Sequence, residues 1–146
     1  MKIIRRILTA SLLLAVTGSA LADIAIKAGP RKGRVLELEG QNAEFFVEKD
    51  RTISIAFYDT AMKAQPAAIQ IVSATAEAPT GKVKLEFEKK GEMLVSKAPL
   101  PEGEHYTIVV QVKTAAEAKS KNFRIPLDLS VCKGCSHAEY ACICDE

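Results

Sequence analysis

The chain has no tryptophan, and it has no cysteine before position 132. Without them the body cannot build the core of an antibody domain, where a tryptophan packs against an inter-sheet disulfide. What remains is an aliphatic core with a few phenylalanines. Basic patches with interleaved aromatics are also missing, which argues against a nucleic-acid partner. Glu102, Glu104 and Asp128 are scattered rather than paired for acid/base work, and no G-x-S-x-G elbow surrounds a serine. Nothing supports an enzyme. There is no internal repeat, no low-complexity segment, and no apolar run of the roughly 20 residues that a bilayer crossing takes.

What is present begins with residues 1–22, which read as a secretory signal peptide. Lys2, Arg5 and Arg6 form a positive start, residues 7–16 are mainly apolar, and Ala20-Leu21-Ala22 offers small residues at the cleavage positions. No cysteine follows to take a lipid anchor, so the expected product is exported, periplasmic or extracellular, with no stable membrane anchor after cleavage. The 20 basic residues less these three leave 17 against 18 acidic ones, so the apparent basicity belongs to the leader. The 146 residues less 22 leave 124, enough for one domain with a modest core.

That mature chain is a succession of short runs with period-two hydrophobicity, the mark of half-buried strands. Residues 34–39 place Leu36 and Leu38 on one face; residues 43–48 place Phe45 and Val47 on one face and Glu44, Phe46 and Glu48 on the other. A polar turn over residues 48–51 leads into 52–58, with Ile53, Ile55 and Phe57 in register, which predicts a hairpin. Residues 59–67 read as a connector, 68–75 as a strand with Ile69 and Ile71 inward, and 78–81 as a turn. Residues 82–88 set Val83, Leu85 and Phe87 against four charges, a short strand covers 92–96, and 105–113 aligns Tyr106, Ile108, Val110 and Val112. Residues 114–119 are too few for an independent helix. Residues 121–129 close the body, with Pro126 placing this strand at an edge or that position toward solvent.

Short turns and the absence of crossover helices select an all-β, antiparallel β-sandwich of about 7–8 strands, immunoglobulin-like in topology, with a small closed barrel as the alternative. The expected division is a signal peptide at 1–22, a sandwich at 23–130 and a cysteine-rich tail at 131–146.

All the cysteines lie in that tail, as Cys132, Cys135, Cys142 and Cys144, spaced C-x2-C-x6-C-x-C. C-x2-C presents two thiolates from one tight turn, and C-x-C in an extended segment places two side chains on one face. Together they offer four sulfur ligands at about 2.3 Å from zinc. Soft thiolates also take copper(I), and His137 is a substitute ligand. Disulfides compete, because export exposes thiols to oxidation. Such bridges would join Cys132 or Cys135 to Cys142 or Cys144, closing loops worth about 3 kcal/mol. Thiol-exchange catalysis at Cys132–Cys135 is a third reading, but it lacks the helix start and βαβ context that lower a thiol pKa.

The other candidates have plain readings: His105 as a surface histidine, Phe45, Phe46, Phe57 and Phe87 as sheet packing, and Arg31, Lys32 and Arg34 as a solvated charge run. No feature identifies a protein partner. Three stretches nevertheless carry a resemblance: Gly29-Pro30-Arg31-Lys32-Gly33-Arg34-Val35, Ala43-Glu44-Phe45-Phe46 and Tyr140-Ala141-Cys142-Ile143-Cys144-Asp145. Through them the chain resembles a group of small exported bacterial proteins of uncharacterised activity. More distantly, the Gly-Pro opening is similar to exported β-domains associated with heavy-metal efflux, in which histidine often follows Gly-Pro. Here Arg31 and Asn42 stand where histidines would supply nitrogen ligands, so the resemblance implies that any metal rests on the tail.

Overall fold

The computed structural model describes residues 25–144; the expected signal peptide lies outside them. Nine strands follow one another: β1 (Arg34–Glu37), β2 (Asn42–Val47), β3 (Ile53–Tyr58), β4 (Ala64–Gln65), β5 (Ile71–Ala78), β6 (Gly81–Lys90), β7 (Met93–Ser96), β8 (Tyr106–Lys113) and β9 (Lys121–Leu127). A single 3-10 turn, Glu139–Ala141, comes after them. Every pairing is antiparallel, so the fold is all-β.

The strand order is β1-β2-β3-β7-β6-β5-β8-β9, with the two-residue β4 against β3. The long β6 joins the two halves. Its first residues, Gly81 to Glu86, pair with β5, while Phe87 to Lys90 pair with β7. The sheet therefore folds over on itself and nearly closes. Its free edges, β1 and β9, approach across a cleft lined by Ile26, Val35 and Phe123, where the Lys121 ammonium donates to the Glu37 carbonyl at 2.6 Å.

Local chemistry explains the turns. Between β2 and β3, Arg51 adopts a positive φ of 65°, and the Asp50 carboxylate accepts both the N–H and the hydroxyl of Thr52 at 3.0 and 2.6 Å. Between β5 and β6, Ala78 pairs directly with Gly81, whose φ of 127° favours a residue without Cβ. The interior is formed by alternating residues: Ile53, Ile55 and Phe57 from β3; Tyr106, Ile108, Val110 and Val112 from β8; Ile125 and Leu127 from β9. Each such side chain contributes roughly 1.5–3 kcal/mol of burial. Pro126 lies in the edge strand β9, opposite Thr107.

Several expectations need correction. The 59–67 connector contains β4. The strand expected at 68–75 is Ile71–Ala78, and its inward face is Val72, Ala74, Ala76 and Ala78; Ile69 and Ile71 are 67% and 50% exposed. Small alanines fit between closely packed sheets and leave the isoleucines outside. Val83 is likewise exposed, so Leu85 is the one fully buried side chain of β6.

Candidate metal centre

The tail is anchored before its sulfurs are placed. After β9 the Asp128 carboxylate accepts the Ser130 N–H and hydroxyl at 2.9 and 2.6 Å, turning the chain. Val131 then bridges Ala138, the Glu139 N–H donates to the Ser130 carbonyl, and the Tyr140 N–H donates to the Asp128 carbonyl. Tyr140 enters the body. Its ring meets Phe45 edge-on at 5.4 Å, and its hydroxyl accepts the Val47 N–H at 3.1 Å. Ala141 beside it is fully buried, so tail and sandwich share one core.

Two loops then bring the thiols together. The Cys132 N–H donates to the His137 carbonyl at 2.7 Å and the Ser136 N–H to the Cys132 carbonyl at 2.9 Å, with Ser136 at a positive φ of 59°. This closes the Cys132–Cys135 turn. The 3-10 turn delivers Cys142, whose N–H donates to the Glu139 carbonyl at 3.1 Å. Gly134 makes the meeting possible, because a Cβ there would stand 2.5 Å from Cys144 Sγ.

The four Sγ atoms lie within 4.8 Å of one another and can share one ion. Cys132 and Cys144 are 3.8 Å apart and Cys135 and Cys142 are 3.7 Å apart. Sulfurs on a tetrahedron 2.3 Å from its centre are separated by about 3.8 Å. Cys132 and Cys142 approach to 2.7 Å, between that spacing and the roughly 2.05 Å of a disulfide. All four thiols are free.

Backbone dipoles prepare part of the set. The N–H groups of Ile143 and His137 stabilise negative charge on Cys135 and bring its thiol down to about 6. Hydrogen bonding with Cys132 pushes Cys142 up to about 12, against the opposing pull of the Cys144 N–H. Contacts with Cys132 and then Cys135 raise Cys144. Cys135, Cys142 and Cys144 thus titrate as an interacting group rather than one by one.

His137 lies outside this cluster. The turn at Ser136 directs its carbonyl to Cys132, and its ring lines a separate surface hollow with Arg31, Phe46 and Tyr140. Its Nδ1 is buried without a hydrogen-bond partner among the described residues. Gly134, Tyr140 and the Ile143 N–H are contributors that spacing rules did not single out. Only the glycine beside the cysteines hinted at a close approach.

No family model, curated protein or solved structure matches this chain. The remaining sequence candidates resolve into structure. His105 is exposed, 3.7 Å from Asp128 and 4.0 Å from Glu104. Phe45 and Phe57 are core, while Phe46 lies 4.6 Å beneath the Arg31 guanidinium. Arg31 is no solvated charge, because it donates to Glu48 and to the Ser54 hydroxyl, each at 2.6 Å. The Gly-Pro and Ala-Glu-Phe-Phe stretches meet at Glu44. Its buried carboxylate accepts the N–H groups of Gly33 and Arg31 at 2.7 and 2.9 Å and the Tyr58 hydroxyl at 2.8 Å. A Cβ at Gly29 would stand 2.3 Å from the Glu44 carboxyl carbon, and one at Gly33 2.4 Å from the Phe45 carbonyl oxygen.

Proposed function

We propose that this is an exported, non-catalytic β-sandwich protein whose C-terminal cysteines bind one soft metal ion, zinc or alternatively copper(I). The observation that carries the reading is the convergence of four Sγ atoms within 4.8 Å on a tail locked to the core by Tyr140. Zinc is preferred because a four-sulfur tetrahedron is its usual structural site, and the 3.7 and 3.8 Å sulfur separations suit that size. Backbone N–H groups directed at Cys135 favour the thiolate a metal needs. Residues 1–22 support export. The Gly-Pro and Ala-Glu-Phe-Phe stretches form one structural unit around Glu44. An immunoglobulin-like topology is supported by the order β2-β3-β7-β6 opposite β5-β8-β9, which follows the A-B-E-D and C-F-G sheets of that fold.

The 2.7 Å approach of Cys132 and Cys142 favours one other reading, a cell-envelope interaction module whose tail is clipped by disulfides. One preparation separates the two. The mature protein is purified without chelator or reductant, bound metal is measured by elemental analysis, and thiols are counted before and after denaturation in chelator. One metal per chain with four thiols released is the expected result. Absence of metal together with absence of thiols establishes the disulfide reading instead.

A further inference from the structure

The four sulfurs are held unequally. Cys132 is 7% exposed, with both its N–H and its carbonyl bonded inside the tail. Cys135 is approached by two backbone N–H groups, and the N–H of Cys142 is fixed to the 3-10 turn. Cys144 is exposed and reaches the cluster across Gly134. It also borders an open hollow with Lys133, Gly134, Cys132 and Cys142, so among the described residues one face of the cluster is open. Structural zinc sites are closed by four held ligands, whereas working sites keep one position that another group can enter.

Resting on the metal-binding reading, we propose that the centre is an exchange site, in which Cys132, Cys135 and Cys142 retain the ion and Cys144 is the ligand displaced by an incoming thiolate. In this step one metal–sulfur bond forms to the entering thiolate as the bond to Cys144 breaks. Cys144 leaves as a thiolate and takes a proton from water. The metal keeps its oxidation state and no electron moves. Further displacement by the same donor carries the ion away, and the reverse sequence loads it. The partner chemistry is therefore a soft thiolate donor able to reach the open face, not a hard carboxylate site.

The test uses the full mature chain loaded with zinc. Transfer to the chromophoric chelator 4-(2-pyridylazo)resorcinol, and separately to free dithiothreitol, is followed against acceptor concentration. The expected transfer rate rises in proportion to acceptor, as direct displacement requires. Cys144→Ser should still load one zinc per chain, with lowered affinity and with faster transfer. Cys132→Ser and Cys135→Ser should not retain a full equivalent. A rate independent of acceptor concentration overturns the proposal without any variant, since release would then wait on spontaneous opening. Loss of zinc by Cys144→Ser as complete as that by Cys132→Ser also overturns it. If the wild-type chain takes up no metal, the failure is seen at loading and belongs to the underlying reading.

Discussion

At the residue scale, the centre depends on a hydrogen atom where other residues have a side chain. Gly134 faces Cys144 Sγ so closely that a methyl group would sit 2.5 Å from the sulfur. The sulfur would have to shift from its place in the cluster to make room. Gly134→Ala should therefore weaken zinc binding about tenfold or more, the scale seen when the surroundings of a ligand are disturbed, while the unfolding of the metal-free protein stays nearly unchanged. Competition titration and urea unfolding of the same samples check both halves. Glu44 makes the opposite case, a residue distant from the metal whose effect falls on the fold. Its carboxylate receives two N–H groups and the Tyr58 hydroxyl, and Glu44→Gln removes the charge and forces the Tyr58 hydroxyl to turn from donor to acceptor. Hydrogen bonds to a charged group contribute about 1.5–3 kcal/mol. The unfolding free energy from urea titration should fall by a comparable amount, seen as a lower midpoint with the slope of the transition unchanged.

At the element scale, the tail is a graft held by one aromatic anchor. Tyr140→Phe keeps the edge-on contact with Phe45 and loses the hydroxyl that accepts the Val47 N–H, so it should cost about 1 kcal/mol. Tyr140→Ala also empties the space and should cost about 3–5 kcal/mol. Calorimetry on metal-free protein separates the two, and equal losses would mean that the ring does not anchor the tail. The same elements show what the residue pattern reveals unaided. β3 and β8 were legible because large β-branched and aromatic residues recur at every second position, and Pro126 pointed to an edge or a solvent-facing place in β9. β5 was misread because Ile69 and Ile71 outweighed Ala74, Ala76 and Ala78, whose small side chains carry little hydrophobic signal yet fill the space between facing strands. The cysteine spacing disclosed the cluster. It gave no warning that His137 stays out, because that exclusion is made by the left-handed Ser136 and the bond from Cys132 to the His137 carbonyl.

At the scale of the whole molecule, a shared core makes metal binding and folding one equilibrium. An ion bound only by the folded chain, at a thousand times its dissociation constant, adds about 4 kcal/mol, which for a chain of this size is on the order of 10–20 °C in Tm. Chelation should remove that increment from the entire molecule, giving one lower transition, because Tyr140 and Ala141 belong to the same core as β3 and β8. The pH dependence has two separate parts. Metal needs thiolates, so its increment shrinks as pH falls and protons compete for sulfur. The metal-free fold answers to carboxylates. Burial pushes Glu48 up, but hydrogen bonds from Arg31 and Ser54 outweigh it and hold the group below its ordinary value. Asp128 is lowered by the Ser130 hydroxyl and N–H. A carboxyl whose folded pKa is depressed stabilises the fold above its unfolded value, and that contribution disappears as pH falls through the folded one. The loss is therefore confined to the acid side of about pH 4. Melting curves of loaded and metal-free protein should converge on acidification before either shows the carboxylate decline. A loaded protein that kept its full advantage down to that decline would show that its stability does not come from thiolate-bound metal.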